Sequence, residues 1–248
     1  MMITPNTKLN MVIGHPLQHT QSPLLHNTLY QALNLDAVLV AVPHTDVHAL
    51  IQVIKTLNVG LTAVTMPFKA DVVPYLDEAS EEVTCLGVAN TIIQRQQRLL
   101  GYNTDVDGVR YALKHLSLSQ KNVLVIGAGG AARALAYYLH QQQANLYWLN
   151  RTPEKLEALI SLFGGKVADQ ESIRKLPFDL IVNTTPVGMH AHTADQSPLM
   201  NYPFQAKQVV FDLVYHPMLP PFSETSSSGW CDRYFWLGHV YRTRIATS

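Results

Sequence analysis

The chain has 248 residues, of which 47% are hydrophobic and 15% are charged. That length suits one large domain or two modest ones, and the composition is globular. The 18 basic and 18 acidic residues cancel, which argues against nucleic acid or an anionic membrane as a partner. Cys85 and Cys231 give neither a disulfide framework nor metal-ligand spacing, and we expect neither a signal peptide nor a membrane-spanning apolar segment. We therefore expect a cytoplasmic protein.

Short apolar runs alternate with helical patterns in the first half of the chain. Residues 11–13 predict a strand that ends at Gly14, and Ser22 with Pro23 predicts the N-cap and first turn of a helix. Further predicted elements are a strand over 37–42, a helix capped by Thr45 that runs to Leu57, a strand over 61–64 and a helix over 105–116. This alternation indicates an α/β domain with a mostly parallel sheet.

The segment 122–152 has the order strand, glycine turn, helix, strand, which is typical of a dinucleotide-binding βαβ unit. Gly127 permits a tight turn, Gly129 lets the backbone approach a pyrophosphate, and Ala132 allows close packing of helix on strand. The N-terminus of the helix then offers unpaired N–H groups to the phosphates. An ordinary strand-to-helix turn is the alternative, and the complete flanking unit favours a cofactor.

The end of the second strand in this unit predicts which cofactor binds. NAD enzymes usually carry Asp or Glu there, to accept hydrogen bonds from the ribose 2′-hydroxyl. This chain has Asn150, Arg151 and Thr152, followed by Lys155. A guanidinium can form two hydrogen bonds to a 2′-phosphate, so the residues favour NADP. The alternative is a solvated arginine before a helix that Thr152 caps.

The rest of the second half completes a doubly wound, Rossmann-type domain. A helix is predicted over 153–162, with strands over 180–183 and 209–212. Ligands of such sheets bind outside the carboxyl ends of the strands, here in a cleft that faces the first domain.

Polar side chains follow several predicted strands of the first half. They lie at residues 19–23, 65–69, 90–91 and 103–105. Their hydroxyls, amides, amine and carboxylate suit a small polyhydroxylated acid. Singly, Ser22 or Asp105 could be only a helix cap and Lys69 a solvated lysine; together the residues favour a substrate site.

These motifs resemble those of the shikimate dehydrogenase family, the NADP-dependent enzymes of aromatic amino-acid biosynthesis. The resemblance runs from the first strand to about Phe222 and rests on HTQSP (19–23), VTMPFK (64–69), ANT (89–91), NTD (103–105), NRT (150–152), NTTPVG (183–188) and DLVY (212–215). It implies a substrate-binding and catalytic domain over 1–104, an NADP-binding domain over 105–222 and an atypical tail over 223–248.

The resemblance also implies roles for individual residues. Lys69 and Asp105 would form the acid–base pair that interconverts shikimate and 3-dehydroshikimate by hydride transfer with NADP(H). The substrate would contact Thr20, Ser22, Thr65, Asn90 and Tyr215. The cofactor would contact Gly127, Ala128, Gly129, Gly130, Ala131, Asn150, Arg151, Thr152, Lys155, Thr184, Thr185 and Val214.

Two departures from the family pattern stand out. Ala63 occupies the position of a substrate-contacting asparagine, which opens the alternative of a paralogue that acts on quinate or a related hydroxy acid; Pro220 also replaces a usual threonine. After Phe222 the expected helices and Gly-x-Gly-Met segment are missing. Reading the tail one nucleotide out of frame can restore Gly-Leu-Gly-Met and a later Gln, so we predict a single-nucleotide insertion near the codons of Phe222 and Ser223.

Other classes of protein remain as alternatives. A non-catalytic NADP- or shikimate-binding protein is one, and a methylene-tetrahydrofolate dehydrogenase is disfavoured by residues 19–23 and the Lys69–Asp105 pair. A metal site on His190 and His192 is the least favoured, because no third ligand stands nearby. We expect no bound metal, and a monomer or homodimer.

Overall fold

The computed structural model describes residues 3–18, 20–169, 171–188, 196–200, 202–205 and 208–214, and the backbone of 232–235. The chain forms two compact units, Met1–Thr104 and Asp105–Ser248. Each described unit has its own six-stranded sheet. The prediction of an α/β protein with mostly parallel sheets is confirmed.

The first unit has a mixed sheet in the order β2-β1-β3-β5-β6-β4. The strand β1 pairs in parallel with β2 and β3, while β3, β5 and β6 are successively antiparallel. The strands are β1 (Lys8–Gly14), β2 (Ala37–Pro43), β3 (Leu61–Val64), β4 (Glu78–Ala79), β5 (Thr91–Arg95) and β6 (Arg98–Tyr102).

Three helices accompany this sheet: α1 (Ser22–Ala32), α2 (Val47–Thr56) and α3 (Glu81–Leu86). The helix α2 buries Leu50, Ile51 and Ile54 in the main core of the unit, together with Met11 and Ile13 of β1. Its spacing of apolar residues places them on one helix face. A short 3₁₀ turn, Val73–Tyr75, precedes β4.

The second unit has an all-parallel sheet in the order β9-β8-β7-β10-β11-β12. This is the doubly wound order, in which the chain moves outward from the central strand first to one side and then to the other. The strands are β7 (Asn122–Ile126), β8 (Asn145–Leu149), β9 (Lys166–Val167), β10 (Leu180–Asn183), β11 (Val209–Asp212) and β12 (Asp232–Phe235).

Helices α4 (Thr104–Leu113), α5 (Gly130–Gln141) and α6 (Glu157–Phe163) follow in chain order. The helix α5 buries a run of apolar and aromatic residues because it packs in the interior of the unit: Ala132, Ala134, Leu135, Ala136, Tyr137, Tyr138 and Leu139. Two 3₁₀ segments, Pro153–Leu156 and Ser172–Arg174, complete the described part.

Several local predictions are wrong in detail. The N-cap of α1 is Gln21, and Ser22 is its first residue. The N-cap of α2 is Asp46 instead of Thr45, because the Asp46 carboxylate accepts hydrogen bonds from the backbone N–H groups of His48 and Ala49. The predicted helix over 153–162 starts as the 3₁₀ segment and becomes α-helical only at Glu157.

The β5–β6 hairpin was not predicted. Its two-residue turn places Gln96 and Gln97 at φ angles of 51° and 65°. Such turns normally carry Gly, Asn or Asp, which tolerate the left-handed region. The glutamines therefore gave no turn signal in the sequence.

Candidate functional site

The carboxyl ends of β7 and β10 lie side by side at the centre of the second sheet. Ile126 of β7 is in register with Asn183 of β10. The chain turns to opposite sides of the sheet after these strands, so a crevice forms at this switch point. The predicted glycine turn follows β7, and the 183–188 segment follows β10.

Gly127 occupies a position that other residues would not tolerate. Its φ angle is +114°, and a Cβ there would collide with the Thr184 hydroxyl and lie 3.1 Å from Thr185 Cγ2. Its N–H donates to the carbonyl of Leu149 at 2.8 Å. The turn thus binds the ends of β7, β8 and β10 together.

Gly129 and Gly130 behave differently, because a Cβ on either would meet nothing within 4 Å. Gly129 is the N-cap of α5 and supplies no side-chain cap. No capping side chain therefore occupies the first backbone N–H groups of α5, and these groups can bind an anion. Ala131 is half-buried in the first turn.

Most of the residues predicted to contact the cofactor line one cavity of ≈ 250 Å³. An adjoining cavity of ≈ 620 Å³ shares Asn150, Arg151, Thr185 and Pro186 with it and is more apolar, with Ile126, Leu149, Val167, Ala168 and Val187 in its wall. Gly130, Ala131 and Val214 are not among the residues that line the smaller cavity. Its lining residues are Gly127, Ala128, Gly129, Asn150, Arg151, Thr152, Lys155, Thr184, Thr185 and Pro186.

Positive charge dominates the smaller cavity. Arg151 and Lys155 are both exposed, and the lining contains no acidic residue. Within the described part of the chain, neither cation forms an ion pair with a carboxylate. The Asn150 amide donates to the Thr152 carbonyl at 2.7 Å and shapes the loop that carries Arg151. Thr152 is the N-cap of the 3₁₀ segment, as the alternative interpretation of this loop expected, but its side chain forms no capping hydrogen bond.

A buried pair of polar residues lies beside this site. Both belong to motifs named above, 183–188 and 212–215, but neither had been assigned a role of its own. The Asn183 amide donates to Asp212 Oδ1 at 3.0 Å, and the two residues are 0% and 1% exposed. The Val214 N–H donates to the same oxygen at 2.9 Å. Val214 is thus held by Asp212. The available sequence signal was that two neighbouring apolar strands both end in a polar residue.

Burial raises the pKa of Asp212 to about 7, although hydrogen bonds from Val214 and Asn183 partly oppose the shift. Within the described residues, Asp212 Oδ2 has no hydrogen-bond partner. A carboxylate in such a place favours its neutral form, because ionisation would leave a charge without compensation.

One edge of the first sheet gathers the residues predicted for the substrate. The strands β1 and β3 end there, β5 begins there, and β6 ends there. The Thr65 N–H donates to the Ile13 carbonyl at 2.9 Å, and the Val64 N–H donates to the Asn90 carbonyl at 2.7 Å. Gly14, at the end of β1, has no room for a Cβ because Thr65 and Leu17 lie against it.

Asn90 connects three segments at this edge. Its Oδ1 accepts from the Thr104 N–H at 2.9 Å and from the Thr91 hydroxyl at 2.9 Å. Its Nδ2 donates to the Thr104 hydroxyl oxygen at 3.0 Å. Asp105 is the next residue after Thr104, in the first turn of α4. The predicted substrate residue Asn90 therefore also fixes the start of α4.

Lys69 is half-buried, and its carbonyl accepts from the Ala89 N–H at 2.7 Å, one residue before Asn90. Thr20 lies two residues before Ser22, the first residue of α1, and the Thr20 hydroxyl accepts from the Ser22 N–H at 3.4 Å. A cavity of ≈ 650 Å³ in this unit is lined by residues 15–18 and by Ala41, Pro43, His44 and Thr45. None of the predicted substrate residues belongs to that lining.

Some predicted residues lie outside the described part of the chain: Tyr215, His19 of the first motif, and the histidine pair His190 and His192. Among the residues that are described, no cluster of His, Cys, Asp and Glu could hold a metal ion. No described helix is long and apolar enough to cross a bilayer.

Comparison with known proteins agrees with this architecture. Models of the shikimate dehydrogenase substrate binding domain and of shikimate / quinate 5-dehydrogenase match residues 12–92 and 110–213. A shikimate dehydrogenase (NADP(+)) of Carboxydothermus hydrogenoformans is 37% identical over 238 residues, which cover 91% of this chain and 85% of the relative.

Solved structures give the same result. A shikimate dehydrogenase in complex with NADP+ superposes with a TM-score of 0.89 at 31% identity, covering 96% of this chain and 87% of the other. The enzyme of Thermus thermophilus, in complex with NADP(H) and shikimate, gives a TM-score of 0.79 at 33% identity, with coverages of 89% and 84%. The chain belongs to the shikimate dehydrogenase family.

Proposed function

We propose that this protein is an NADP-dependent shikimate dehydrogenase, which interconverts shikimate and 3-dehydroshikimate in aromatic amino-acid biosynthesis. The observation that carries the proposal is the smaller cavity, which lies at the switch point of the second sheet in a chain that belongs to this family. It combines a glycine turn with two cations, Arg151 and Lys155, and its lining has no acidic residue. The relatives that share this fold include enzymes named for NADP and shikimate.

The residues of the second unit fit NADP. Gly129 and Gly130 leave the backbone open, and the N-terminus of α5 would bind the pyrophosphate. Arg151 and Lys155 would bind the 2′-phosphate, with Asn150 and Thr152 shaping their loop. The cofactor, when bound, accepts the hydride in shikimate oxidation. We assign the cofactor domain to 105–222 and the substrate domain to 1–104.

The first unit would supply the remaining chemistry. Oxidation of a secondary alcohol requires removal of the hydroxyl proton as the hydride leaves. We assign that proton transfer to Lys69 with Asp105 as its partner. Thr65, Asn90 and Tyr215 would orient the ring hydroxyls, and Thr20 and Ser22 would bind the carboxylate.

Ala63 supports a second candidate, a dehydrogenase for quinate or a related hydroxy acid. Ala63 is half-buried and pairs with Thr91 at the substrate edge, where its methyl group can neither donate nor accept a hydrogen bond. Loss of one amide there would weaken discrimination between related hydroxy acids. The family model that matches the second unit is named for both shikimate and quinate dehydrogenases.

The direct test is an assay of the 248-residue chain for NADP+ reduction with shikimate, run in parallel with quinate and with NAD+. Turnover with shikimate and NADP+ supports the first candidate, and a preference for quinate supports the second. Binding of NADP+ and shikimate without turnover, even after the reading frame of the tail is restored, would indicate a binding protein instead.

The frameshift hypothesis and the cellular setting need their own measurements. Sequencing of the coding DNA around Phe222 and Ser223 tests the insertion, because an intact frame in close relatives that encodes the same tail would rule it out. We also propose a cytoplasmic monomer or homodimer; the free thiol of Cys85 suits a reducing compartment. Cell fractionation and light scattering after size exclusion test these points.

A further inference from the structure

Asn183 and Asp212 end adjacent strands and are paired in register. They are 0% and 1% exposed, and they share the hydrogen bond from the Asn183 amide to Asp212 Oδ1. Burial of two polar side chains is costly unless their hydrogen bonds are made, so a fully apolar pair would pack at lower cost. Packing alone therefore does not account for a buried polar pair at this position.

The Asn183 amide holds the turn that follows β10. Its Oδ1 accepts from the Thr185 N–H at 3.0 Å and from the Thr185 hydroxyl at 2.7 Å, while its Nδ2 also donates to the Val187 carbonyl at 3.3 Å. The Val187 N–H donates in turn to the Thr185 hydroxyl at 3.3 Å. A single buried amide thus determines the conformation of residues 184–187.

These bonds determine what the two threonines can offer a ligand. The Thr184 hydroxyl donates its proton to the Ile126 carbonyl at 2.7 Å, and the Thr185 hydroxyl donates to Asn183. A hydroxyl has one proton and two lone pairs. One lone pair of Thr185 accepts from the Val187 N–H, so each threonine has acceptor capacity but no proton left for the cavity that it lines. Lone pairs accept hydrogen bonds from hydroxyl groups and repel the oxygens of phosphates.

We propose that Asn183 and Asp212 are positioning residues for the dinucleotide. Asp212 orients the Asn183 amide, Asn183 fixes the threonine hydroxyls as acceptors, and the 184–187 turn recognises a ribose hydroxyl. The phosphates are left to the glycine turn, Arg151 and Lys155. This inference rests on the proposed function, because it assumes that NADP occupies the switch-point cavities.

Calorimetric titration of the full chain with NADP+ tests the inference without requiring turnover. Thr185→Val removes the acceptor, and we expect the Kd to rise about tenfold. Thr185→Ser keeps the hydroxyl and should stay within about threefold of the wild type. Asp212→Asn keeps the oxygen that accepts from Asn183 and should also bind normally, whereas Asp212→Leu should match Thr185→Val.

Two controls separate positioning from loss of structure. Val182→Ala alters a neighbour that is 0% exposed; it should lower the melting temperature and leave the Kd unchanged. Inorganic pyrophosphate has no ribose, so it reports on the phosphate site alone. Its inhibition constant against NADP+ should rise together with the Kd of NADP+ only if the phosphate site is damaged. We expect its own inhibition constant to be unchanged in Thr185→Val.

The outcomes are distinct. Wild-type affinity in Thr185→Val, or equal weakening by Asp212→Asn and Asp212→Leu, would overturn the inference. Should Asp212→Leu fail to fold, the Thr185 pair still decides, because Thr185 is only half-buried. A wild-type chain that does not bind NADP+ would contradict the proposed function instead.

Discussion

The two sheets present polar groups at their edges in different ways. In the second unit the strands are all parallel, and the glycine turn after β7 meets the turn after β10, so main-chain groups form much of the site. In the first unit the antiparallel strand β5 enters where β3 leaves, and side chains such as Asn90 occupy the edge. The cofactor site should therefore depend on backbone geometry as well as on side chains, whereas the substrate site should depend mainly on individual side chains.

The largest expected effect is on turnover, through a side chain of the first unit. Lys69→Ala should lower kcat by a factor on the order of 10²–10⁴, because proton transfer loses its base. Folding and the NADP+ Kd should stay near wild type, since the other unit provides that site. Steady-state kinetics with titration of NADP+ measures both; the assay uses the frame-restored chain if the 248-residue chain is inactive. A large loss of NADP+ affinity would contradict the division of roles.

A backbone position of the second unit should show the opposite behaviour, in which stability and binding fall together. Gly127→Ala must adopt a φ angle of +114° and displace Thr184, which should cost roughly 5 kcal/mol of unfolding free energy. Urea denaturation and NADP+ titration measure the two losses. Gly129→Ala is the matched control, because its Cβ enters open space; the fold should survive there. Equal stability of both variants would refute the backbone argument.

The buried Asp212 makes the stability of the second unit depend on pH. Its pKa is about 7 in the folded chain, against an ordinary value of 3.8. Between these values the folded state holds a proton that the unfolded state has released, so stability is highest below the lower value and falls as pH rises through 7. The loss should reach about 4 kcal/mol.

Asp212→Asn imitates the protonated carboxyl and should remove this component of the pH dependence. Unfolding free energies measured in urea at several pH values between 4 and 8 provide the comparison. A wild-type chain whose stability rises over this range, with the same slope in the variant, would show that Asp212 is ionised in the folded state.

The smallest effect expected here concerns cofactor choice. Arg151→Ala should weaken NADP+ binding about tenfold, or ~1.4 kcal/mol, and leave NAD+ binding unchanged, because NAD+ lacks the 2′-phosphate. Competition titrations with both nucleotides measure the ratio. Arg174→Ala serves as the control, since Arg174 belongs to a 3₁₀ segment outside the two lining sets. Equal weakening of both nucleotides would point to a general loss of positive potential.

Much of the architecture followed from pattern alone. The apolar runs at 123–126 and 180–182 are continuous because both strands are buried on two faces of a parallel sheet. The hairpin was missed because Gln96 and Gln97 carry the turn. The N-cap of α2 was wrongly assigned to Thr45. Thr45 and Asp46 are neighbouring residues of types that both cap helices well, and only the backbone geometry distinguishes them.

The candidate site was predictable only in part. The glycine turn and the NRT loop have local signatures, and the structure brings them into one cavity. The Asn183–Asp212 pair depends on two strands being neighbours, although 29 residues separate the pair in the chain. Strand order comes from the packing of the entire unit, which no local window contains. The roles of Lys69 and Asp105 stay a prediction.

The helix α1 has a consequence for how the protein behaves in concentrated solution. No residue of α1 is buried, and Leu24, Leu25 and Leu29 are 69%, 57% and 47% exposed. The chain has a formal net charge of +0 at pH 7. Electrostatic repulsion between molecules is therefore weakest near neutral pH, where it cannot oppose association through the exposed leucines of α1. Light scattering against pH should show most self-association near neutrality. Leu25→Lys should reduce it, which makes buffers away from neutrality the sensible choice for purification.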